Sequence, residues 1–162
     1  MDKGLVSDSF DDDGGNNVVS RLEEVVRDEL RKLKIPFRYE SAEFPLTNKV
    51  NYTPDFYLLK TRKHNKKVLL EPHGLWTEPE KRLFRLNKMC GSIWVPRTEV
   101  DLNELEFVWK LALFRKMYGK QFHLILFVPP RCFEWVKVQY PMAYDEVYPV
   151  GDIPKVLTQF CD

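Results

Sequence analysis

The sequence is poor in anything that could cross-link it. Its three cysteines, Cys90, Cys132 and Cys161, are odd in number and far apart in a chain of 162 residues. They form no CxxC pair and no zinc-ligand spacing, so they read as reduced thiols of a cytoplasmic protein. Long apolar runs are also missing: no segment approaches the ~20 residues of a membrane span, and no basic stretch precedes an N-terminal apolar run. A soluble protein with no membrane partner is expected. Charge of one sign is lacking too. Charged residues make up 30% of the chain, yet the formal net charge is +1. Any nucleic-acid contact must therefore come from a local basic surface and not from bulk charge. No internal repeat is visible. What the chain does have is apolar side chain, 44% of residues, with 14% aromatic. That is enough to offset ordering entropy without staples, in a length that fits one domain.

Residues 1 to 17 contain Asp11-Asp12-Asp13-Gly14-Gly15-Asn16-Asn17, which cannot bury an apolar face and reads as a flexible acidic tail. Adjacent aspartates in such a tail point in different directions, which argues against a metal site there. The single domain then runs from 18 to 162, with a core over 20–128 and a C-terminal extension over 129–162. Ser20 and Glu23 have capping-box spacing, and Leu22, Val25, Val26, Leu30 and Leu33 recur at helical intervals up to Ile35-Pro36. Phe37–Glu40, Asp55–Leu59 and Lys67–Glu71 read as three strands, the last two joined by a hairpin-sized connection and hence antiparallel neighbours. Glu78 to Lys88 shows a helical pattern with a basic face. Ser92–Pro96 is extended, and Asp101 would cap a helix from Leu102 to Tyr118 closed by Gly119. His123–Val128 is a continuous apolar run of the buried-strand kind. Trp135–Val138 fits helix or strand, and Ile153 to Phe160 a closing helix.

The chemistry lies in Thr53-Pro54-Asp55-Phe56 and Glu71-Pro72-His73. Adjacent antiparallel strands would bring Asp55 and Glu71 together, and Glu71 interrupts an apolar strand where an unpaired charge is costly. Metal-dependent phosphodiester hydrolysis needs such acidic oxygens to hold a divalent cation. His73 returns to the face of Glu71 by the period-2 rule, and the Pro72 carbonyl lies between them.

Pro54-Asp55 followed by Glu71-x-His73-Gly74, behind the helix that carries Glu23, resembles the restriction-endonuclease-like, or PD-(D/E)xK, nuclease superfamily. The resemblance covers residues 20 to 128. It implies an α/β fold with an αβββαβ core, a mixed central sheet flanked by helices. It also implies a metal-dependent deoxyribonuclease of endonuclease type acting on DNA, using Mg²⁺ or Mn²⁺ held by Asp55, Glu71, the Pro72 carbonyl and Glu23. The capping box explains Glu23 equally well. His73 stands where the family has lysine, so it is either a working base or ligand at the water or the mark of a retired site. In the second case the chain is a catalytically inactive nuclease-fold module for nucleic-acid binding or protein interaction. Lys110 and Phe114 occupy places where some subfamilies carry Gln-x-x-x-Tyr, and Lys110 could bring an ammonium to the site. Trp76 with Lys81, Arg82, Arg85 and Lys88 could line a DNA backbone, or be no more than a solvated basic face. Arg115 and Lys116 are further candidates. Small size leaves sequence choice to a homodimer or a protein partner.

Overall fold

A computed structural model describes residues 18–59, 65–76, 83–87, 91–96 and 98–161, so the acidic tail lies outside the described residues. Helix α1, Val18–Lys32, comes first. It buries Leu22, Val26 and Leu30, one face at helical spacing. The helix begins two residues before Ser20, which is therefore in the first turn and not at the cap. The Ser20–Glu23 capping box is thus not how this helix starts, since the preceding valines extend it upstream. Its C-terminus is sharply made. Lys34 adopts φ 59°, its N–H donates to the Arg31 carbonyl, and Ile35 N–H reaches back 2.9 Å to the Leu30 carbonyl, the paired bonds of a Schellman ending.

Five strands form the main sheet: β1 (Phe37–Tyr39), β4 (Phe56–Leu58), β5 (Lys67–Pro72), β8 (Phe122–Val128) and β9 (Glu146–Pro149), in the spatial order β1-β4-β5-β8-β9. The first three are antiparallel, with Tyr39 opposite Phe56 and Phe56 opposite Leu70. β5 and β8 run parallel, with Leu70 opposite Ile125, and β9 continues parallel to β8. The connection from β5 to β8 passes through helix α2, Glu99–Tyr118, as parallel neighbours require. After β8 come α3, Pro130–Gln139, which resolves Trp135–Val138 as helix, and α4, Ile153–Thr158, near the C-terminus. Residues beyond Pro129 therefore complete the sheet and contribute to both of its covering layers.

The sheet is covered on both faces. Val68, Leu70, Ile125 and Phe127 point to α1 and α4, where they meet Val26, Leu30, Ile153 and Leu157. Leu69, Leu124, Leu126 and Val128 point the other way, to Val108, Leu111 and Phe114 of α2 and Val136 of α3. This alternation is the reason β5 and β8 are apolar almost throughout. The result is the mixed α/β, helix-flanked architecture expected, with α1, β1, β4, β5, α2 and β8 as its αβββαβ core.

Three local features differ from the sequence expectation. A small antiparallel pair, β2 (Phe44–Pro45) and β3 (Asn51–Tyr52), precedes β4. Within the expected helix over Glu78–Lys88, the described residues Leu83–Asn87 are strand β6, paired antiparallel with β7, Gly91–Val95, from Leu83 opposite Val95 to Asn87 opposite Gly91. Leu83 and Leu86 at helical spacing are too short a pattern to distinguish helix from strand, and the β-prone Ile93-Trp94-Val95 provides a pairing partner. Finally, Asp101 is not the N-cap of α2. Thr98 is the cap, its hydroxyl accepting from Asp101 N–H while the Asp101 carboxylate accepts from Thr98 N–H, each at 3.1 Å.

Lys34 holds a left-handed conformation that favours glycine. Lys34→Gly is expected to raise unfolding stability by about 0.5–1 kcal/mol, read as a higher urea midpoint with an unchanged m-value. A lower midpoint would refute this account of the helix end.

Candidate active site

β4 begins and β5 ends at the same end of the sheet. Asp55 lies one residue before β4, and the antiparallel register that sets Phe56 opposite Leu70 continues to Asp55 and Glu71. Both are buried, with relative exposures of 8% and 5%. Asp55 N–H approaches Glu71 Oε1 at 3.4 Å, and the Tyr52 hydroxyl donates to the same oxygen at 2.6 Å. The β2–β3 pair thus has a purpose in the site: it delivers Tyr52, itself buried and packed at 5.1 Å on Phe114 of α2, to the second carboxylate.

The electrostatics are those of crowded, desolvated acids. Burial pushes Asp55 well above the usual carboxylate range, and the neighbouring charges of Glu71, Glu23 and Glu40 push it further. Burial likewise pushes Glu71 up to about 8, against the opposing hydrogen bonds from Tyr52 and the Asp55 backbone. Glu23 acts on both from α1. Its own carboxyl is raised by burial, while a hydrogen bond from Tyr39 and the charge of Arg27 pull the other way. The Tyr39 hydroxyl donates to Glu23 at 2.5 Å, and the buried Arg27 guanidinium lies 5.0 Å from the centre of the Tyr39 ring. The sequence reading had missed Glu40. It follows β1 with φ 49°, and its N–H donates to the Asp55 carbonyl at 2.9 Å.

His73 lies just past β5, its N–H held by the Phe127 carbonyl at 3.0 Å. Its ring stacks on Phe107 of α2 at 3.7 Å and 11° and meets Trp76 edge-on. Burial brings the imidazole down to about 4, so at neutral pH it is an uncharged lone-pair donor and only a weak base. Pro72 sits between Glu71 and His73, opposite Phe127 in the ladder.

Of the expected DNA-contacting set, Trp76, Arg85 and Lys110 fall within the described residues. Trp76 is 5% exposed, donates from its indole N–H to the His73 carbonyl at 2.6 Å, and packs among His73, Phe107 and Tyr140. Its ring is core and is not available to stack a base. Arg85 lies in β6 and not on a helix, which removes the shared helical face proposed with Lys81 and Lys88. Lys81, Arg82 and Lys88 are outside the described residues. Lys110 is half-buried on α2 and is not among the main influences on Asp55 or Glu71, which are burial, carboxylates and hydrogen bonds. Arg115 is engaged structurally, bonded to Asp145 at 2.7 Å and to the Met142 carbonyl.

Among the described residues, no three or more His, Cys, Asp or Glu side chains are grouped as a ready metal cage. A divalent cation of the Mg²⁺ type does not require one. It is commonly held by one or two carboxylates and completed by water or substrate phosphate. The hard oxygens of Asp55 and Glu71, buried side by side with proton affinities raised chiefly by desolvation, fit that pattern.

The fold and site together define a helix-flanked mixed α/β protein with an acidic pair at one end of its sheet. No family model matches the sequence, and no curated protein does. Among solved structures the chain is similar to an XisH family protein from Nostoc punctiforme PCC 73102, with 12% identity and a TM-score of 0.47, over 82% of this chain and 93% of that one. In the described residues no helix is long and apolar enough to cross a membrane.

A carboxyl raised on folding holds a proton that the unfolded chain has already lost. The stability it contributes is full below its ordinary value of 4.5 and is lost as pH rises through about 8. In chelator, the melting temperature of the wild type is expected to fall from pH 5 to pH 8.5 more steeply than that of Glu71→Gln. Parallel curves would contradict the assignment.

Proposed function

We propose that this protein is a metal-dependent deoxyribonuclease of endonuclease type, related to the PD-(D/E)xK superfamily, acting on DNA with Mg²⁺ or Mn²⁺. One observation carries the reading: two carboxyl groups, Asp55 and Glu71, are buried beside each other at one end of the sheet, and burial lifts both above the usual carboxylate range. A core would not retain that pair for stability, because apolar residues of similar volume serve as well or better.

When bound, the ion supplies a Lewis acid for the scissile phosphate and a water of lowered pKa. The chain's own residues do the rest. Asp55 and Glu71 would hold the ion, with the Pro72 carbonyl and Glu23, whose charge acts on both acids, as the further oxygen ligands. The Tyr52 hydroxyl and the Asp55 N–H fix Glu71 Oε1 and so would orient this carboxylate for an ion. Such outer partners orient ligands. Tyr39 and the Arg27 charge hold Glu23 in the same way. His73 would offer a neutral nitrogen to water or metal from between the rings of Phe107 and Trp76.

Supercoiled-plasmid nicking in Mg²⁺ and in Mn²⁺ tests this. Asp55→Ala is expected to lose cleavage by on the order of 10²-fold or more, and Tyr52→Phe to lose about 10–100-fold in metal affinity or rate. Equal nicking by wild type and Asp55→Ala would remove the proposal. A second reading, an inactive nuclease-fold binding module, is favoured by His73, packed flat on Phe107 where a lysine would extend. It is selected if the wild type binds DNA but nicks it with neither ion. Gain of nicking in His73→Lys would then identify the lost group.

A further inference from the structure

Helix α2 presents two apolar faces, and the fold uses one. Glu104, Val108, Leu111 and Phe114 are turned into the molecule. On the opposite side Leu102, Trp109 and Met117 are 59%, 45% and 50% exposed. Their spacing of seven and eight residues puts them on a single stripe along the helix. Large apolar side chains repeated along one outer face mark a packing surface, where single exposed ones would not.

The charges beside the stripe are sorted by sign. Glu99 and Glu106 are exposed toward the N-terminal end, and Lys116 and Lys120 are exposed at the C-terminal end. A helix that is acidic at one end and basic at the other is complementary to itself when two copies lie antiparallel. A twofold axis through the middle of α2, beside Trp109, sets Leu102 opposite Met117 and Glu99 opposite Lys120. The two Trp109 rings meet at the centre. α2 has 20 residues, about 30 Å of helix, so the seam has the length of an ordinary helix pair.

We infer that this protein forms a twofold dimer through the outer face of α2, with a second copy of the chain as the occupant. The interface is isologous, each contact occurring twice. Its central aromatic is the position on which affinity should depend most.

Sedimentation velocity across a concentration series tests this on the full chain. The wild type is expected to move from monomer to dimer mass. Trp109→Glu should weaken self-association by at least ~30-fold, the size of losing a central interface anchor, with an unchanged circular-dichroism spectrum. A charge-exchange experiment fixes the geometry. Glu99→Lys with Glu106→Lys makes an all-basic stripe, and Lys116→Glu with Lys120→Glu makes an all-acidic one. Each variant alone should be weakened as a dimer, and an equimolar mixture of the two should form a heterodimer. A wild type that stays monomeric at every concentration overturns the inference, and so does a mixture that fails to associate.

Discussion

A carboxylate set into a strand that is covered on both faces is the constraint on which this structure depends. β5 is apolar at Val68, Leu69 and Leu70 because helices lie above and below it. Glu71 follows in the same ladder and is buried too, at 5% exposure. Desolvation there is costly unless hydrogen bonds or a cation compensate. The surroundings supply hydrogen bonds: the β2–β3 pair places Tyr52 on one oxygen, and the chain entering β4 turns the Asp55 N–H to the same atom. That entry also brings a second carboxylate beside the first, so the local solution for Glu71 sharpens the electrostatic problem.

Much of this was legible in the sequence. Leu22, Val26 and Leu30 marked α1, the apolar run at 124–128 marked a strand buried on both faces, and Asp55 and Glu71 stood out as charges within strand-like segments. Their juxtaposition followed from a single hairpin-sized connection. Tyr52, Tyr39, Arg27 and Glu40 were not legible as site residues. A tyrosine in an aromatic-rich chain carries no positional mark, and Glu40 reaches the site only because Tyr39 pairs with Phe56 across β1 and β4. Register over long range is a tertiary fact. The misreading of Leu83–Asn87 as helix has the same origin. Five residues with two leucines satisfy more than one period, and the partner strand at 91–95 decides between them.

The face of α2 that looks inward bears directly on His73. Phe107 stacks on its ring and Phe114 packs on Tyr52, the hydrogen-bond donor to Glu71. One helix therefore braces both ends of the Glu71–His73 segment, and a shift of α2 along its axis would move the Tyr52 hydroxyl and the imidazole together. Packed interiors transmit such displacements because they contain little slack. Clamping the outer face of α2 against a second copy would restrict that shift. In such a dimer the same helix would couple the oligomeric state to the geometry of the acidic pair, through two aromatic contacts and without any residue of the partner entering the site.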